Sequence, residues 1–226
     1  MKRLIFLFIS LVALCGCSSN DDDSQYSAST TTPYMISNYV LTEKIACSSS
    51  EIYSNFVSLN YYGEDLLASL RATYERFSYF SKLYNDNSFN KANTPGGYSA
   101  LAYPIDKITL SCDSDYDAKH PAGTPLDDIV TIEFDSYWDF IQNGYQYPDW
   151  YTVKEKDWYG SMRLEYYLSE INSDNTKLAS RKVNRLLFTE LPTVAGEYNF
   201  TLELTTNGET FTTTFTHVFD DQKKIY

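Results

Sequence analysis

Two histidines, four cysteines, three tryptophans and one run of spaced aspartates are the side chains of this 226-residue sequence with the most obvious chemical capacity. His120 precedes Pro121 in a turn-forming stretch, and His217 lies near the end of an alternating segment. A zinc site or a Ser-His-acid triad would route its chemistry through one of them, yet neither has partners at a recognisable spacing. HExxH, CxxC, Gly-x-Ser-x-Gly and a phosphate-cradling Gly-rich loop are all missing, so no motif-defined enzyme class is indicated and no catalytic residue is assigned. Asp113, Asp115 and Asp117 have the spacing that opens a calcium loop, where hard oxygens converge on one ion. Such a loop needs Gly next and Glu at its close; Ala118 and Thr124 stand there, so a solvated polar turn is expected, with no metal and no cofactor.

The stretch from Tyr137 to Tyr159 is the candidate binding surface. It contains all three tryptophans, Trp138, Trp150 and Trp158, with Tyr145, Tyr147 and Tyr151, interleaved with Asp139, Asn143, Asp149, Glu155 and Asp157. Aromatic faces beside carboxylates and amides suit a sugar: its CH groups stack on a ring while its hydroxyls find acceptors. The competing expectation is that these rings fill the core and cover one end of the fold. A glycoside hydrolase acting on polysaccharide is the rival function, because it needs only two well-placed carboxylates. A structural subunit that pairs through an edge strand is a third.

The N-terminus specifies place. Lys2 and Arg3 precede an apolar run from Leu4 to Leu14 interrupted by Ser10. That run is shorter than the roughly 20 residues of a membrane span and reads as a removable signal peptide over residues 1–16. Leu14-Cys15-Gly16-Cys17 resembles the lipobox of bacterial lipoproteins, which implies lipid attachment at Cys17 after cleavage. Ser18-Ser19-Asn20-Asp21-Asp22-Asp23 resembles the acidic export tag of Bacteroidetes surface lipoproteins, which implies the outer membrane and its external face. Residues 17–32 are rich in Ser, Thr and Asp with little to bury, so they should form a flexible acidic tether reaching about 20 Å, and at most about 50 Å when stretched.

Charge narrows the partners. The formal net charge is −12, and loss of Lys2 and Arg3 with the leader makes the mature chain more negative still. No Lys/Arg cluster is visible, so nucleic acid is a poor partner. The expected partners are the membrane, through the lipid, and a glycan or another envelope protein. Two cysteines remain in the folded region, Cys47 and Cys112. A bridge would close a loop of roughly 64 residues and contribute about 4 kcal/mol. Two separate buried thiols are the equal alternative.

The elements positioning these residues read as strands. Tyrosine numbers 21 against 3 methionines, a composition that favours β-structure. From Tyr198 to Thr205 apolar and polar residues alternate, and Asn207-Gly208 supplies a two-residue hairpin turn. The resulting register predicts Leu204 opposite Phe211, Leu202 opposite Thr213, Phe200 opposite Phe215 and Tyr198 opposite His217. Ile108 to Cys112, Val130 to Phe134, Met162 to Leu168, Val183 to Phe188, Tyr39 to Cys47 and Tyr53 to Tyr61 also suit strands. Leu66, Leu67, Leu70, Tyr74, Phe77 and Tyr84 recur at helical spacing, which predicts a helix over Glu64 to Tyr84, with a strand as the alternative because Tyr and Phe abound there; a second, shorter helix is expected from Asp135, ended by Gly144. The segment Leu191 to Tyr198 resembles the tyrosine corner of immunoglobulin-like domains, which implies that the Tyr198 hydroxyl bonds back to the preceding turn. The expected fold is mostly β, a single immunoglobulin-like β-sandwich over residues 33–226 with one or two short helices in insertions. With Ile105 to Asp128, the C-terminal part resembles uncharacterised surface lipoproteins of the Bacteroides type, which implies location and fold but no activity.

Overall fold

The computed structural model describes residues 33–90, 98–151, 160–220 and 225–226. The leader, Cys17, the tether and Trp158 lie outside the described residues. The described residues are mostly β and form two sheets. Its strands are β1 (Ile36–Ser49), β2 (Phe56–Leu67), β3 (Tyr98–Leu101), β4 (Ile105–Cys112), β5 (Val130–Ser136), β6 (Met162–Tyr167), β7 (Ala179–Phe188), β8 (Gly196–Thr206) and β9 (Glu209–Phe219). Among the described residues two α-helices accompany them, α1 (Tyr74–Leu83) and α2 (Trp138–Gln142).

Six strands in the order β2-β1-β3-β7-β5-β6 make one sheet, and β4-β8-β9 make the other. The β8–β9 hairpin has the register that alternation demands: Leu204 faces Phe211, Leu202 Thr213, Phe200 Phe215 and Tyr198 His217. Asn207 and Gly208 turn it at φ of +52° and +77°, the left-handed geometry that matches strand twist. The Tyr198 hydroxyl donates to Val194 O at 2.7 Å, closing the corner, and the Tyr116 hydroxyl ties the same connection down at Glu190 O, also 2.7 Å.

Between the sheets lies a core of Val57, Leu59, Ile132, Phe134, Leu186 and Phe188 against Ile108, Leu110, Phe200, Leu202 and Leu204. A second apolar cluster joins Tyr39 and Leu66 to Phe77 and Phe80 of α1 and to Phe140, Ile141 and Tyr145 at α2. Asp86, fully buried, fastens this cluster by accepting from the backbone N–H groups of Met35 and Ile36, each at 2.8 Å, and from the Tyr145 hydroxyl at 2.9 Å. Burial pushes the Asp86 carboxyl up, against the lowering effect of those donors.

The helix expected over Glu64 to Tyr84 is corrected: Glu64 to Leu67 finish β2, paired with Leu41 to Asn38, and the helical part begins only at Arg71 with a 3-10 turn that leads into α1. Leu66 fits a helical stripe and a strand equally, and the long partner β1 decides the outcome. The helix expected over Asp135 to Gly144 shrinks to α2, because Asp135 and Ser136 complete β5 and the chain leaves α2 through Gly144 and Tyr145 at φ of +66° and +63°. Cys47 and Cys112 are not bridged. They sit in different sheets, opposite Leu59 and Phe200 respectively, and burial raises the pKa of both thiols, that of Cys47 to about 12.

Candidate functional site

The two sheets are unequal in width, and this builds a groove. In β6, Leu164 and Tyr166 stand directly opposite Phe134 and Ile132 of β5, so all four face the core side. Phe134 and Ile132 are fully buried, whereas Leu164 and Tyr166, at the end of the wide sheet, are only partly covered. The uncovered strip continues into a groove of about 460 Å³ lined by Ser136, Trp138, Asp139, Leu164, Tyr166, Asn172, Asp174, Asn175 and Lys177.

Each wall has a local cause. Ser136 ends β5, accepts from the Trp138 N–H at 3.2 Å and donates to Lys177 O at 2.9 Å, which fixes the start of α2 against the facing loop. That loop is stiffened by Asn172, whose side-chain oxygen accepts from the N–H groups of Asp174 and Asn175 at 2.9 and 3.3 Å. Asn175 Nδ2 donates to Glu170 O at 3.0 Å, and fully buried Thr176 donates to Ile105 O at 2.8 Å. Lys177 then places its ammonium 5.1 Å from the Trp138 ring centre and 2.9 Å from Asp174. The Tyr166 phenol, lifted by burial, lies beside Phe134 with ring centres 6.2 Å apart. The arrangement offers two aromatic rings, two carboxylates, two amides and one ammonium, which suits a neutral polyhydroxylated ligand better than an apolar one.

The aromatic residues predicted from sequence do not form one face. Trp138 enters the groove, edge-on to Tyr84 at 6.2 Å. Tyr145 belongs to the core, packed on Phe89 and bonded to Asp86. Tyr147 and Tyr151 stack at 5.5 Å, and Trp150, 65% exposed, meets Tyr151 edge-on at 6.0 Å. The residues that sequence reasoning missed are Tyr166, Asn172, Asp174, Asn175 and Lys177. The Asn-Ser-Asp-Asn run from Asn172 signals a turn, but nothing in it signals which groove the turn would line.

The aspartate run is spread over separate partners. Asp113 accepts from Ser114 and Asn199, Asp115 from the Ala122 N–H, and Asp117 from the N–H groups of Lys119 and His120. Among the described residues no cluster of His, Cys, Asp and Glu suited to a metal occurs. His120 is buried between Asp117, 2.9 Å from Nδ1, and Asp128, 3.1 Å from Nε2. Burial opposes charge on the ring, but the two carboxylate hydrogen bonds outweigh it and raise the pKa above the usual histidine value. His217 donates through Nε2 to Ser54 O at 2.6 Å and stacks on Phe188.

Together these features define a mostly-β two-sheet protein with a polar and aromatic groove at the open end of its wider sheet. Comparison with protein-family models, with curated proteins and with solved structures finds no match to the chain.

Proposed function

We propose that this chain is a lipid-anchored outer-membrane protein, exposed at the cell surface, whose sandwich domain binds glycan in the groove beside Trp138. The observation that supports binding there is the joint placement of Trp138 and Tyr166 with Asp139, Asn172, Asn175 and Lys177 around one opening. A sugar ring lying in it stacks its CH face on an aromatic ring, gives hydroxyl protons to the carboxylates and amides, and accepts from the Lys177 ammonium. The anchoring rests on the lipobox-like Leu14 to Cys17 and the acidic segment that follows.

Glycan-array binding of the full-length chain tests the first part, with Trp138→Ala and Trp150→Ala compared in parallel. Selective binding lost in Trp138→Ala and retained in Trp150→Ala is the expected result; no binding to any glycan, or equal binding by all three proteins, overturns it. Membrane fractionation of Cys17→Ser tests the second part, and a variant that still sediments with membranes overturns the anchor. A hydrolase reading draws on the two groove carboxylates, Asp139 and Asp174, the second of them already paired with Lys177. Release of reducing ends from a bound polysaccharide, abolished by Asp139→Asn, would replace binding with catalysis.

A further inference from the structure

A second opening lies where β7 leaves its ladder. On one side, β7 pairs with β3 at Ser180 and with β2 only from Arg185 onward. On the other side, its partners in β5 pass from Ser136↔Ala179 to Phe134↔Asn184, so Ser180 to Val183 stand opposite Asp135 alone. The chain must bulge outward there. Asn184 holds the bulge, its Nδ2 donating to Ser180 O at 2.9 Å and to Arg181 O at 3.4 Å, and the Lys182 N–H donates to Ser180 Oγ at 3.1 Å. Bulges of this kind re-aim side chains, often beside binding sites.

The bulge presents Arg181 and Lys182 to a cavity of about 570 Å³, lined also by Asn38, Asn60, Tyr61, Tyr62 and Ser99. That size falls within the ~300–1,000 Å³ of small-molecule sites. Arg181 is neutralised by Asp65 at 2.8 Å, and Asn38 Nδ2 bridges Asp65, at 3.2 Å, to Ser99 Oγ, at 3.1 Å. Asn38 is only 8% exposed, and its side-chain oxygen has no hydrogen-bond partner among the described residues. That oxygen is itself buried, so Asn38 contributes the wall of the cavity and holds Asp65 and Ser99 in place. Lys182 is exposed and enters none of the ion pairs among the described residues, so it brings an uncompensated positive charge to the rim of this cavity. Tyr62, half exposed, offers a ring at the rim.

We infer that this cavity is a second ligand site, separate from the Trp138 groove, that takes a sugar acid such as a hexuronate. A carboxylate meets Lys182 and the CH face of its ring lies on Tyr62. A bare sulfate or fully ionised phosphate supplies the charge but not the apolar face.

Calorimetric titration of the full-length chain with digalacturonate, neutral digalactose and sodium sulfate tests the assignment. Saturable binding of digalacturonate is expected, with digalactose and sulfate at least tenfold weaker and with Lys182→Gln, an exposed substitution, losing about tenfold. Trp138→Ala, which alters the groove and not this cavity, should leave the digalacturonate isotherm unchanged, whether or not the groove reading holds. Absent binding, equal binding of the neutral sugar or of sulfate, an unaffected Lys182→Gln, or weakened binding in Trp138→Ala would each overturn the proposal.

Discussion

β7 and β8 are both central strands of similar length, and they handle their ladders in opposite ways. β8 stays paired with β9 without interruption from Gly196 to Thr206, and its even-numbered residues Tyr198, Phe200, Leu202 and Leu204 are all buried. β7 breaks step after Ala179 and regains it at Asn184. The cause is in the residues that fall on the buried side. Slipping β8 by one residue would turn four apolar side chains to solvent, so only one register survives. β7 instead buries Ser180 and Asn184, polar residues that bond to the strand's own backbone and so stabilise a departure from the ladder. Regular alternation builds core, whereas buried polar residues in a strand buy the irregularity from which a cavity is made.

The largest expected effect separates the two strands by stability. Phe200 is enclosed by Phe188, Phe215 and Phe219, so Phe200→Ala should cost about 3–5 kcal/mol in urea unfolding. A loss below ~1 kcal/mol would mean that β8 is not the centre of the core. Gly208→Ala comes next. An added Cβ meets no atom within 4 Å, so the cost is that of the backbone at φ +77°, about 1–2 kcal/mol. An unchanged unfolding midpoint would show that the hairpin tolerates another turn. Asn184→Ala should cost only about 1 kcal/mol, since two carbonyls lose a donor while an unpartnered buried oxygen is removed with it. Its effect on digalacturonate binding should exceed that of Gly208→Ala at equal or greater stability; the reverse ranking would break the link between bulge and cavity.

How much of this was legible in the sequence follows the same division. The β8–β9 register and the Tyr198 corner were readable because both are set by neighbours close in the chain: Asn207-Gly208 fixes the turn and Val194 lies four residues from its partner. The β7 bulge was not, because Val183 to Phe188 reads as an ordinary strand and the break depends on β2, β3 and β5, all distant in sequence. Trp138 was singled out from composition, but its groove arises from a six-stranded sheet outreaching a three-stranded one, which no local pattern encodes. Tyr145 was grouped with the binding surface because its type fits there; the buried carboxylate of Asp86, remote in sequence, claims its hydroxyl for the core.

The smallest predicted effect concerns the loop that joins the two strands' surroundings. Tyr116 packs on Phe188 of β7 and on Tyr198 of β8, and its N–H donates to His120 O at 2.9 Å, so the state of His120 bears on both. In the unfolded chain its imidazole titrates near about 6.5. In the fold, burial disfavours the charge but Asp117 and Asp128 more than compensate, so the native state holds the proton more tightly. The linked stabilisation is therefore fully present below the unfolded value and is lost as pH rises through the higher folded value. Subtracting the unfolding free energy of His120→Gln from that of the parent at each pH should give a difference that is steady below about pH 6 and shrinks above it. The Phe200→Ala difference, with no titrating group removed, should stay level across the same range. A His120 difference that is flat, or that grows with pH, would mean the ring is neutral between its two carboxylates and that the loop joins β7 to β8 by packing alone.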